Sequence, residues 1–228
     1  MTNEKFTKKG IEKMEKLTEK ETVEKGKYEK ENIETIISSA IASMESAYNK
    51  IKATESYLNL FEAMKFGNIG ENPITNEDYS LLEQINQVFT ILMSCYAATE
   101  YNYFPNANSF DFAFAENDGR DLVVYDNKKG KIAEAEIFAT VSAKNNGKLR
   151  KEVNKLLGLP GKNHDYYYVF YTAPEHYNLK PSTKHDNGSN GEGVEINGNQ
   201  TVVSRGENKV IVQYLPKEKF IGWINART

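Results

Sequence analysis

The chain of 228 residues holds one cysteine, one tryptophan, three histidines and six prolines. A lone Cys95 excludes an intrachain disulfide framework and any cysteine-rich zinc site, and its place inside FTILMSCYAA reads as a small buried core residue. His164, His176 and His185 make neither HExxH nor a facial triad, so they read as loop or surface residues. No apolar run approaches the roughly 20 residues that a transmembrane helix needs, and the opening MTNEKFTKKG lacks an apolar signal region. The expectation is a soluble, cytoplasmic protein with no membrane partner. With 15 glycines and a charged fraction of 27%, the chain is neither collagen-like nor mainly disordered. The signatures GxxxxGK[ST], GxGxxG after a strand and GxSxG are absent too. A stretch beginning at Asp186 echoes a calcium loop, but Asn197 stands where a bidentate Glu is needed.

What is present supports one sizeable core or two small ones: 39% of residues are apolar and 11% aromatic. The net charge of −3 is unevenly spread, at +2 over residues 1–30, −9 over 31–120 and +4 over 121–228. A basic C-terminal half on an acidic whole does not suit a non-specific nucleic-acid coat, yet it leaves room for a localised basic face.

Three regions follow from the texture. Residues 1–30, with Ile11, Met14 and Leu17 among Lys and Glu, read as a charged helical arm that folding does not need. Residues 31–105 read as a helical region packing on the core. Its first helix runs from Asn32 toward Phe66, where Gly67 and Gly70 stop it. Its second restarts at Thr75, with Asn76, Glu77 and Asp78 in the first turn, and ends near Tyr101. Residues 106–228 alternate short β-rich runs (SFDFAFA, RDLVVYD, KIAEAEIFATV, DYYYVFYTA, NKVIVQYLP) with the basic helical segment GKLRKEVNKLLGL and a last short helix around Phe220 to Ile224. KHDNGSNGEGVEINGN reads as a loop. The expected fold is α/β or α+β: a mixed central sheet flanked by helices, with a helical N-terminal half.

The strongest chemical signal lies at Asp121 and Glu134-Ala-Glu136. RDLVVYD and KIAEAEIFATV should pair as a hairpin, and strand alternation sends Glu134 and Glu136 to one side and Ala133, Ala135 and Ile137 to the other. Two carboxylates in an apolar strand are costly if buried uncompensated. A divalent cation such as Mg²⁺ removes that cost, with Asp121 arriving from the neighbouring strand as a third ligand. The other reading puts both glutamates on the solvent face of an edge hairpin.

An Asp on one strand, an acidic-x-Lys about a dozen residues later on the next, and a basic helix after it form a pattern that this segment resembles, that of the PD-(D/E)xK nuclease family. Arg120-Asp121-Leu122-Val123 stands at the Pro-Asp position, and Glu134-Ala135-Glu136 at the acidic-x-Lys position. The resemblance implies a restriction-endonuclease-like core and Mg²⁺-dependent cleavage of double-stranded DNA by a homodimer. Asp121, Glu134 and Glu136 would then be metal ligands, with Glu136 in the lysine's place as in Glu-x-Glu variants, or with Lys144 supplying the missing lysine. Lys144, Asn145, Asn146, Lys148, Arg150 and Lys151 are the matching DNA contacts. Lys148, Lys151 and Lys155 are equally the solvent face of a helix whose apolar side is Leu149, Val153 and Leu156. The aromatic run from Tyr166 to Tyr171 reads as base stacking, or as core on one side and interface on the other. The alternative function is a non-enzymatic protein- or nucleic-acid-binding module.

Overall fold

Apolar residues recurring every three or four positions wind Ile33–Lys52 into a helix, α1, which buries Ile33, Ile36, Ile37, Ala40 and Ala47. The computed structural model of the chain describes residues 27–29, 32–67, 69–74, 77–99, 103–112, 120–142, 147–159, 166–177, 179 and 193–228. α1 does not continue to Phe66. The chain breaks after Thr54, and the Ser56 hydroxyl accepts the Asn59 N–H at 3.1 Å, opening a separate helix α2 at Tyr57–Phe66. Gly70–Glu71 (β2) and Asp78–Tyr79 (β3) form a two-stranded ribbon, so Asp78 belongs to a strand and not to a helix's first turn. The next helix, α3, spans Leu81–Thr99, and the Ser80 hydroxyl accepts the Glu83 N–H ahead of it. Thr75, Asn76 and Tyr101 lie outside the described residues.

The remaining strands are β1 (Lys27–Glu29), β4 (Ser109–Asp111), β5 (Leu122–Tyr125), β6 (Lys131–Ala139), β7 (Tyr166–Thr172), β8 (Gly193–Asn197), β9 (Gln200–Arg205) and β10 (Asn208–Tyr214). They form one eight-stranded mixed sheet in the order β1-β4-β5-β6-β7-β10-β9-β8. β6 pairs parallel with β7 and β7 parallel with β10; the other neighbours are antiparallel. A helix, α4 (Lys148–Leu157), lies in the crossover from β6 to β7, and α5 (Lys217–Asn225) closes the chain.

Two expectations change here. The loop assigned to KHDNGSNGEGVEINGN contains β8, and β9 follows directly, joined through a two-residue turn in which Gly198 takes a φ of +58°. Asn and Gly mark that turn, while Val194, Ile196, Thr201 and Val203 supply the pairing strands. Residues 27–29 are a strand paired with β4, not part of a helical arm. Removing them leaves Ser109–Asp111 as an unpaired sheet edge. A chain starting at Asn32 should melt several degrees below one starting at Gly26, since about 1 kcal/mol is worth roughly 2–4 °C in a protein of this size. Equal melting temperatures would show that β1 adds nothing.

The sheet is covered on both faces. α1, α3 and α5 share one apolar core with Leu122, Val124, Ala133, Ala135, Ile137, Tyr168 and Phe170, and Cys95 is buried within it. α4 packs on the opposite face through Leu149, Val153, Leu156 and Leu157 against Phe138, Tyr167, Val169 and Tyr171. β7 is therefore buried on both sides from Tyr167 to Tyr171, as parallel central strands are, so those aromatic residues are core on each face. No helix among the described residues is long and apolar enough to cross a membrane.

Candidate active site

The hairpin of β5 and β6 holds Leu122 opposite Ala135 and Val123 opposite Glu134. Its turn is tied by Asp126, whose Oδ1 accepts the N–H groups of Lys128 and Gly130 at 2.9 and 2.7 Å. Asp121 sits just before β5, beside the C-terminal end of β6, and its Oδ2 accepts the Ile137 N–H at 2.6 Å. The carboxylate thus caps the point where the two strands separate.

Glu134 and Glu136 lie on the α4 face and are only 8% and 6% exposed. β6 is an interior strand, so the solvated-edge reading fails on position alone. Cations offset the burial. Arg120 bridges the pair, its Nε 3.3 Å from Glu134 Oε2 and its Nη1 3.2 Å from Glu136 Oε1. Lys131 also pairs with Glu134, and Lys155 reaches from α4 to place its Nζ 2.8 Å from Glu136 Oε1.

Asp121 and Glu136 line one cavity of about 390 Å³ together with Lys148, Glu152 and Lys155 of α4. Polar side chains of α3, Asn86, Gln87 and Thr90, form its opposite wall. The Lys148 ammonium stands over the Phe138 ring, 4.8 Å from its centroid. Burial pushes the Asp121 carboxyl up to about 7, and nearby Glu136 and Glu152 push the same way. The Ile137 hydrogen bond and Lys148 only partly counter this. Glu152 is raised as well, by its own burial and by Glu136.

No family model, curated protein or solved structure matches this chain. Among the described residues, no three Asp, Glu, His or Cys side chains stand close enough to share one ion. Asp121, Glu134 and Glu136 accordingly do not converge as a triad of ligands: Glu134 is held between Arg120 and Lys131, away from the cavity. Asp121 and Glu136, two of the three carboxylates that line the cavity, still suit Mg²⁺, which takes one or two carboxylates and completes its octahedron with water and phosphate oxygens. A buried carboxyl with a raised pKa is itself a group short of a cation.

Lys144, Asn145 and Asn146 lie outside the described residues. Lys148 lines the cavity, whereas Arg150 and Lys151 do not; Lys151 is exposed on the first turn of α4. Glu152 is the site residue that motif reading passes over, while Arg120 and Lys155 are visible in the motif and the basic helix but not as partners of the glutamates. The signal for Glu152 is spacing, since Lys148, Glu152 and Lys155 stand four and three apart and so share one helix face.

Proposed function

We propose that the protein is a metal-dependent nuclease that cleaves phosphodiester bonds in double-stranded DNA, on a restriction-endonuclease-like core. The observation that carries this reading is the cavity shared by Asp121, Glu136, Lys148 and Lys155. It lies at the C-terminal end of β6, where a hairpin leads through a helical crossover into a parallel strand. That order of elements is the one the PD-(D/E)xK pattern needs. Asp121 and Glu136 are the residues that would hold Mg²⁺, which when bound supplies a Lewis acid that polarises the phosphodiester and acidifies water.

The chain's own groups divide the remaining work. Lys155, at 2.8 Å from Glu136 Oε1, fixes that carboxylate and takes the place of the lysine missing from the motif. Arg120 holds Glu136 from the other side, leaving its orientation little freedom. Lys148 offers a phosphate partner at the cavity mouth. The first turn of α4 carries no acid and three cations, Lys148, Arg150 and Lys151, an arrangement the helix dipole disfavours until an anion docks there. Cleavage of both strands calls for two copies. α2 supports a homodimer, because none of its residues is buried and Tyr57, Leu58, Phe61 and Phe66 are all exposed.

Plasmid DNA should be nicked or linearised in Mg²⁺ or Mn²⁺ and left intact in EDTA; cleavage unaffected by EDTA, or none in either metal, overturns the reading. Glu136→Ala should lower activity by at least roughly 10²-fold with DNA affinity in Ca²⁺ little changed. Lys148→Ala should weaken binding and flatten its salt dependence by about one unit of slope. Lys155→Ala compared with Lys144→Ala identifies the catalytic lysine: loss of chemistry belongs to the former, and the opposite result returns the role to Lys144.

A further inference from the structure

Large apolar side chains stand exposed at nine of the described positions, and seven of these lie on the C-terminal half of α1, on α2 and on the first two turns of α3. Such exposure is concentrated, not scattered singly as on an ordinary surface. Tyr48, Tyr57, Phe61 and Phe66 are between 58% and 83% exposed. At about 150–250 Å² for a whole aromatic side chain, these four with Leu58, Leu82 and Ile85 present on the order of 800 Å² of apolar surface. The largest apolar patch of a monomer is about 300–600 Å², whereas a stable interface takes about 800 Å² from each partner.

The region carries both a ridge and a groove. On α2, Phe61 stands four residues after Tyr57 and three after Leu58, so the three share one face of the helix. An open cavity of about 230 Å³ runs between α1 and α3, and Met44, Tyr48, Ile51, Ile85 and Phe89 contribute to its apolar wall. Ala47 and Leu81 line it too, and they belong to the cluster against which Ala63 and Met64 of α2 pack, so ridge and groove adjoin. The groove is smaller than the roughly 300 Å³ at which small-ligand sites begin, and its one amide, Gln84, donates to Ser43. It suits the apolar side chains of a helix laid across it.

We propose that a second copy of this chain covers the region about a two-fold axis, each α2 laying Tyr57, Leu58 and Phe61 into the α1–α3 groove of the other. A two-fold contact is self-complementary, so a surface that holds both a ridge and a groove fills both at once. A partner of another kind fills the groove and leaves the ridge in water. The exposed charges on and beside α2, Lys52, Glu55, Glu62 and Lys65, are of both signs, so two copies meet without net repulsion there. The contact does not rest on the nuclease reading, since neither nucleic acid nor metal takes part in it.

The test is sedimentation equilibrium of the full chain in EDTA without nucleic acid. Wild type should sediment as a dimer at micromolar concentration. Phe61→Lys on the ridge and Ile85→Glu in the groove should each weaken association at least about 100-fold. Both side chains are exposed in a single copy, so the variants should keep the wild-type helix content by circular dichroism; Tyr57→Lys repeats the ridge test if Phe61→Lys does not fold. Mixing the two variants keeps one Phe61–Ile85 contact and sets Lys against Glu at the other, so the mixture should associate at least about tenfold more tightly than either variant alone. A wild-type chain still monomeric at about 100 µM overturns the inference, as does a dimer that survives both substitutions. A mixture no tighter than its parts would set α2 against α2 and overturns it as well. So does a chain starting at Lys27 that dimerises where the full chain does not, which would make residues 1–26 the occupant. Plasmid cleavage in Mg²⁺, measured in parallel, keeps the two readings apart: cleavage by a monomeric chain removes the dimer alone, and a dimer that cleaves nothing removes the nuclease reading alone.

Discussion

Asp121→Asn is expected to abolish cleavage and, in the absence of metal, to stabilise the fold above pH 7. The folded carboxyl titrates at about 7 against an ordinary value of 3.8, because burial penalises its charge. Between those values the folded protein keeps a proton that the unfolded chain has released. Stability contributed by the protonated form is therefore complete below pH 3.8 and lost as pH rises through 7. At about 1.4 kcal/mol per unit over roughly three units, the charged side chain costs about 4 kcal/mol at pH 8. Asparagine keeps an oxygen to accept the Ile137 N–H and carries no charge, so the variant escapes that cost. In EDTA the difference in melting temperature should favour the variant at pH 8 and shrink toward zero near pH 4. Mg²⁺ should raise the wild-type melting temperature at pH 8 and leave the variant unmoved, and cleavage should fall by at least roughly 10³-fold. A variant less stable than wild type at pH 8 would mean that the carboxylate is already neutralised by the protein.

Arg120→Met should be the most destabilising single change at the site. It removes the cation that touches both buried glutamates and leaves Lys131 and Lys155 to hold one each. Breaking a buried ion pair from one side costs about 3–5 kcal/mol, because the stranded charge stays buried. In a chain of this size that is a drop on the order of 10 °C. Adding Glu134→Gln to the variant should restore part of the loss, with a coupling of about 0.5–3 kcal/mol. Additive losses in denaturant melts, or a single-variant loss below about 1 kcal/mol, would show that the guanidinium does not offset the carboxylates.

Periodicity made much of the architecture legible. The helical spacing of Ile33 to Ala47 identified α1, and the alternation of Ala133, Glu134, Ala135 and Glu136 correctly divided the two faces of β6. These are local properties, because the period of a helix or strand fixes which side chains share a face wherever the element ends up. The same logic faltered where composition spoke louder than alternation: the Asn and Gly of residues 185–199 concealed β8, and the Lys and Glu of the first 30 residues concealed β1.

The sequence by itself determined that Glu134 and Glu136 point the same way, that Asp121 lies across a hairpin from them, and that a basic helix follows. Only the tertiary structure decided what those carboxylates are. β6 lies between β5 and β7, so the glutamates are buried and not solvated. Arg120 and Lys131 then claim Glu134, while Lys155 and Glu152 come round on α4 to complete a cavity with Asp121 and Glu136. Sequence spacing constrains neighbours within one element, but burial and ion pairing depend on which elements the chain brings together across long separations. The energy of a charge is set by that surrounding, not by its position along the chain.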